Sequence, residues 1–150
     1  MISTLATSGF RFAIAAGDLK YAQEGWAEVS LELTLNDGLS GRLCAVTTSY
    51  SPVDDLHRLG NELISYVSRL RADAGSDENI EDYVPLSLAF RLSALDGESF
   101  ADGNGAIDMA VYINVGEGAH RVYVGAAEAS FEDVLKFADN LLKLAEHLRR

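Results

Sequence analysis

Two stretches of this chain, residues 27–35 and 107–115, place a large or small apolar side chain at every second position, and each is followed by a leucine stripe at helical spacing. In the first, Ala27, Val29, Leu31, Leu33 and Leu35 alternate with Glu28, Ser30, Glu32 and Thr34; in the second, Ile107, Met109, Val111, Ile113 and Val115 hold the apolar places. Successive side chains of a strand point to opposite faces, so a period of two gives one greasy face and one wet face. Such strands belong in an antiparallel sheet with a solvated side. Phe10, Phe12 and Ile14 supply a shorter run of the same kind before Gly17-Asp18, and Leu86, Leu88, Phe90 and Leu92 another. Asn36-Asp37-Gly38 is a turn signal that leads into a strand over 41–49, and Gly116-Glu117-Gly118 leads into one over 121–125.

Both helices announce a start. Ser51 can cap, Pro52 suits the first helical position and Asp54 favours the positive end of the helix dipole. Leu56, Leu59, Leu63, Val67 and Leu70 then recur at spacings of three and four. Ser130-Phe131-Glu132-Asp133 opens the second, with Val134, Leu135, Ala138, Leu141, Leu142, Ala145 and Leu148 on its apolar side. Arg149 and Arg150 follow its last turn, where cations are favoured.

The halves can be laid on one another. A shift of 79 residues pairs Ser51 with Ser130, Asp54 with Asp133, Leu56 with Leu135, Asn61 with Asn140, Leu63 with Leu142 and Arg42 with Arg121; a shift of 80 pairs Gly38 with Gly118 and the two alternating runs. The expected fold is therefore α+β: two tandem βββα units, about 1–72 and 83–150, joined by an acidic linker at 73–82. Together they form a largely antiparallel sheet with two helices packed on one side. A chain of 150 residues is the usual size of one domain.

Twenty-three acidic side chains against twelve Lys and Arg give a net charge of −11. That field repels phosphate backbones and anionic membrane surfaces and attracts basic proteins. Cys44 is the sole cysteine, which excludes an intrachain disulfide and a cysteine-built zinc site, and its place in a strand pattern suggests a buried small apolar residue. The first residues lack the basic and long apolar stretches of a signal peptide, and no run has the length of a membrane span, so a cytoplasmic location is expected.

Residue patterns that carry chemistry are few in this chain. His57, His120 and His147 show no metal-ligand spacing, and exposed histidines are the expected reading. The run Asp102-Gly103-Asn104-Gly105-Ala106-Ile107-Asp108 resembles a calcium loop, but Phe100 and Val111 fall where that loop needs carboxylates. It reads as a polar connection, part of a glycine-rich acidic segment over 96–105. Phosphate-binding glycine loops and nucleophile elbows do not occur. No catalytic residue, cofactor or metal is expected. The candidate binding face consists of acids in the connections: Asp73, Asp77, Glu78, Glu81 and Asp82, with Asp96, Glu98, Asp102 and Asp108.

From about Phe10 to Leu148, the order of elements resembles the WapI-type immunity proteins of bacterial polymorphic, contact-dependent toxin systems. It consists of an N-terminal strand, a strand opening on Gly25-Trp26, a hairpin, a Leu-rich helix, further strands and a closing amphipathic helix. The resemblance implies a non-catalytic inhibitor, monomer or homodimer, that binds and blocks a cognate toxin domain, often a basic nuclease. Two other classes stay open. A small acidic secretion chaperone or adaptor would dimerise and hold an extended client. A small-molecule-binding domain or unrecognised enzyme would show a deep apolar pocket.

Overall fold

The computed structural model describes residues 1–17, 25–37, 41–72, 90–100, 102–115 and 122–149. The 73–82 linker, Leu86 and Leu88, the turn glycines 38, 116 and 118, Arg121 and His120 lie outside the described residues. The order is β1 (Ile2–Ala6), β2 (Phe10–Ala16), β3 (Trp26–Asp37), β4 (Gly41–Pro52), α1 (Val53–Ala72), β5 (Phe90–Ser99), β6 (Gly105–Asn114), β7 (Val122–Ser130) and α2 (Phe131–Leu148). The class is α+β, with every described strand pair antiparallel. These strands form two sheets where one was expected, of order β1-β2-β3-β4 and β5-β6-β7. The first half contributes four strands rather than three. β1 escapes the sequence because Ser3 and Leu5 are its only inward side chains between exposed or half-buried ones.

The inner face of the first sheet carries Leu5, Phe10, Phe12, Ile14, Ala27, Val29, Leu31 and Leu33; that of the second carries Phe90, Leu92, Ala94, Ile107, Met109, Val111 and Ile113. They join both helix stripes in one contiguous apolar cluster. The helices run antiparallel: Asp54 at the start of α1 is paired with Arg149 just beyond α2, and Arg71 at the end of α1 lies 5.5 Å over the ring of Phe131, which opens α2. They approach closely at Gly60, where a β-carbon would stand 3.0 Å from the Ala138 carbonyl oxygen and 2.9 Å from Leu142. Each helix leans on strands of the other half. Phe137 of α2 meets the Phe12 ring at 6.2 Å, and its carbonyl accepts the buried Ser3 hydroxyl at 2.7 Å. Tyr66 and Leu70 of α1 fill the space that Gly97 leaves open on β5.

The buried helix positions do not coincide at the expected shift of 79. The buried positions of α1 (Val53, Leu56, Leu59, Gly60, Leu63, Tyr66, Val67) match those of α2 (Phe131, Val134, Phe137, Ala138, Leu141, Leu144, Ala145) at 78. Leu135 and Leu142 therefore fall beside the buried stripe and are half-buried. The β3 and β6 alternations coincide at 80, as expected. β4 and β7 are related by 78, because Ala27 pairs with Ser51 as Ile107 pairs with Ala129. Phe12 and Phe90, also 78 apart, touch with ring centroids 5.7 Å from one another.

Several local expectations are corrected. β4 runs on to Pro52, so Ser51 is a strand residue facing the core; it does not cap α1, and Pro52 precedes the helix. The first helical amide, Val53 N–H, instead donates to the Gly25 carbonyl at 3.0 Å. Ser130 does cap α2, accepting from Asp133 N–H at 3.1 Å. Cys44 is exposed: Ala45, Ser49 and Ser51 take the inner places of β4, and strand parity turns Cys44 outward. The connection expected over 96–105 is shorter, since a bulge between Ala94 and Asp96 lets β5 continue to Ser99 and β6 begins at Gly105. His57 is half-buried with Nδ1 3.1 Å from the Asn61 amide, while His147 is exposed.

Candidate interaction surface

The net charge is unevenly seated. α1 and α2 together hold seven acidic and five basic side chains, which leaves sixteen acidic and seven basic ones elsewhere, or −9 of the total −11. On the helices the acids meet cations. Asp55 stands 3.5 Å from Arg58, Asp139 stands 2.9 Å from Lys143, and Asp54 pairs with Arg149. The strands are different.

β5, β6 and β7 bring acids into register, and Glu98, Asp108 and Glu128 stand on the outer face of their sheet. Asp96 is opposite Asp108, and Asp108 is opposite Glu128. Glu98 lies two residues along β5, opposite Ala106. Glu98, Asp108 and Glu128 are exposed, and none is ion-paired with another described residue. Like charges directly opposed across a ladder are unfavourable, typically by a few tenths to about 1 kcal/mol. The fold gains nothing from holding them there.

Asp102 sits at the tip of the β5–β6 hairpin. Its carboxylate accepts from Asn104 N–H at 3.0 Å and from the Asn104 side-chain amide at 3.1 Å. The backbone bond first, and then the side-chain bond, hold its pKa below the ordinary carboxylate value. Phe100 N–H donates to the Asn104 carbonyl and Gly103 N–H to the Phe100 carbonyl, so in the run expected to be a polar connection 102–104 form a tight hairpin turn and Gly105–Asp108 already belong to β6. Gly103 takes φ +85°, a conformation that favours glycine. Arg71 Nε donates to its carbonyl at 3.0 Å, tying α1 to the hairpin.

Of the nine acids expected on a binding face, Glu98, Asp102 and Asp108 are thus gathered at one end of the second sheet, with Asp96 beside them in register. Asp73, Asp77, Glu78, Glu81 and Asp82 lie outside the described residues. Glu128 joins the group without having been expected. It stands among alanines near the start of α2, and only the strand register places it next to Asp108. Among the described residues, no three His, Cys, Asp or Glu side chains are grouped to hold a metal ion. No helix of the described residues is long and apolar enough to cross a membrane.

The first sheet has an outer face of another character. Ala13, Ala15, Ser30 and Thr34 occupy its centre, with Glu32 3.7 Å from Arg11. Trp26, Val46 and Tyr50 stand out from it, 37%, 58% and 42% exposed. Trp26 begins β3 opposite Pro52, Glu28 follows opposite Tyr50, and two aromatic rings and a carboxylate therefore share one corner. In the sequence only Trp26 is conspicuous, because Val46 and Tyr50 lie in a run with no clean alternation.

No protein-family model matches the chain, and no curated protein matches it in sequence.

Proposed function

We propose that this protein is a non-catalytic, acidic binding protein that captures a basic protein partner, and that it acts as an immunity protein neutralising a cognate bacterial toxin domain in the cytoplasm. The observation that carries the reading is the pair of opposed carboxylates at Asp108 and Glu128, extended by Glu98 and Asp102. It is unfavourable to the isolated fold and has no described counter-cation. A cationic partner supplies the missing charges, through charge-assisted hydrogen bonds at the surface and through long-range attraction during encounter. The resemblance to WapI-type immunity proteins supports the toxin as that partner.

The same reading takes the two halves as copies of one βββα unit, with β1 an addition to the first. Support comes from the shared buried positions of the helices at a shift of 78 and from the equivalent strand pairing of β3–β4 and β6–β7.

The test is affinity for the toxin domain encoded in the neighbouring reading frame, measured against ionic strength. Steered binding between opposite charges weakens steeply as salt rises, and Asp108→Asn with Glu128→Gln weakens it further at low salt. Affinity that is indifferent to both salt and these substitutions refutes the reading.

A further inference from the structure

We propose that the corner of the first sheet formed by Trp26, Glu28 and Tyr50 is a docking site for an arginine side chain of a cationic protein partner. The inference rests on the reading that the partner is basic, and it specifies which cation and where.

Three observations lead to it. The first is composition. Trp26 is the only tryptophan in the chain, and it is more than a third exposed at the start of β3 on the outer side of its sheet. Tryptophan and tyrosine dominate binding hot spots because they present large, stiff, amphipathic surfaces. The second is register. Trp26 pairs with Pro52 and Glu28 with Tyr50, so Tyr50 is the diagonal neighbour of Trp26 across β3 and β4, and Glu28 follows Trp26 on the same face. Diagonal neighbours lie within reach of aromatic side chains. A guanidinium stacks flat on an aromatic face and forks its N–H groups onto a carboxylate; an ammonium does neither as well. The constellation therefore favours arginine over lysine.

The third is rigidity. Gly25, with φ +76°, turns the chain immediately before Trp26, and its carbonyl accepts the first amide of α1 at 3.0 Å. Trp26 is thereby fixed at the junction of β3, β4 and α1. Glu28 is held on the other side, since its carbonyl accepts Gly17 N–H at 2.9 Å and its side chain lies where a β-carbon at position 17 would stand. An anchor already in its bound geometry loses little entropy on binding.

The same place on the second sheet is different. Asp108 stands where Glu28 does, but its neighbour on β7 is Glu128 where β4 has Tyr50. That place on the second sheet holds two carboxylates, where the corner of the first holds a carboxylate and two rings.

The experiment uses the full chain with labelled octaarginine and octalysine peptides of equal charge, followed by anisotropy at about 0.15 M salt. Octaarginine is expected to bind roughly two- to fivefold more tightly than octalysine, the range for a cation–π contact at an exposed ring. It is also expected to perturb the fluorescence of Trp26, which octalysine leaves unchanged. Trp26→Ala and Glu28→Gln should each bring the two affinities together, while Trp26→Phe keeps part of the preference. Should Trp26→Ala fail to fold, as judged by circular dichroism, Glu28→Gln and Tyr50→Ala carry the test. Equal affinities in the unmodified protein, with losses only on Asp108→Asn and Glu128→Gln, overturn this inference and leave the charge reading standing. Failure of both peptides to bind overturns the two together.

Discussion

Ser51 and Ser130 precede the two helices in nearly the same sequence context, yet replacing each with alanine should shift stability in opposite directions. Ser51 is fully buried on the inner face of β4, paired with Ala27, and among the described residues its hydroxyl finds no hydrogen-bond partner. A buried hydroxyl stripped of water and left unpaired costs roughly 1–3 kcal/mol. Ser51→Ala removes that cost and leaves a void no larger than one oxygen, a loss of a few tenths of a kcal/mol at about 24 cal/mol per Å³. Ala129, the residue at the equivalent place on β7, shows that a methyl group fits such a site. The expected gain is about 1 kcal/mol, or a rise in Tm of about 2–4 °C for a chain of this size. Ser130→Ala removes the acceptor of Asp133 N–H and should cost about 0.5–2 kcal/mol. Urea unfolding followed by far-UV circular dichroism, with equal m-values, gives both numbers. Equal destabilisation by the two substitutions would mean that Ser51 caps α1, and the account of β4 would be wrong.

Four further expectations can be checked on the isolated protein. Asp108→Asn and Glu128→Gln should each stabilise the fold by about 0.2–1 kcal/mol at low salt, a gain that shrinks in 1 M salt; a loss would mean that the opposed carboxylates have partners. Gly105→Ala places a β-carbon into the Glu98 carbonyl and the Phe131 ring and should cost about 1–3 kcal/mol, where a neutral result denies that close approach. Cys44, exposed on β4, should react with a thiol reagent in native buffer in a one-to-one ratio, whereas a thiol that reacts only in denaturant is buried. Asp102 has its folded pKa lowered, so the stability it contributes is present above its unfolded pKa and disappears as pH falls through the folded value. Asn104→Ala keeps the backbone N–H and removes the side-chain amide, so it should raise the Asp102 value only in part in a carboxyl NMR titration, and an unchanged value would rule out the side-chain bond as a cause.

What the sequence disclosed follows from how local each signal is. The long alternations and the first helix stripe were legible because a period of two or 3.6 is written into adjacent residues, and Leu56, Leu59, Leu63, Val67 and Leu70 are all buried. The second stripe was legible to within one residue: Leu135 and Leu142 drew attention by type, while the larger Phe131 and Phe137 stand on the buried line. Matching serine to serine gave a shift of 79, whereas packing obeys 78, because one serine caps a helix and the other faces the core. β4 carries Thr47, Thr48, Ser49 and Ser51 in place of aliphatic residues, which left its parity unreadable and misplaced Cys44. The division into two sheets was beyond reach, since pairing between distant strands leaves no mark on either strand alone.

The candidate surfaces show the same limit more sharply. Glu98, Asp102 and Asp108 could be found by counting acids, but Glu128 becomes their neighbour only through the pairing of β6 with β7, twenty residues apart in the chain. Trp26 and Tyr50 likewise meet only through the pairing of β3 with β4. Charge on the helices is disposed as a stable fold would have it, with acids at the starts and cations within reach. Charge on the second sheet is disposed against it, carboxylate facing carboxylate. Neither core packing nor helix capping requires that row, and neutral side chains of the same size would suit the isolated fold better. The location of the unfavourable charges, opposed on the outer face of the second sheet, is therefore the feature for which a cationic partner gives a physical reason. If neutralising Asp108 and Glu128 cost stability, that reason would go.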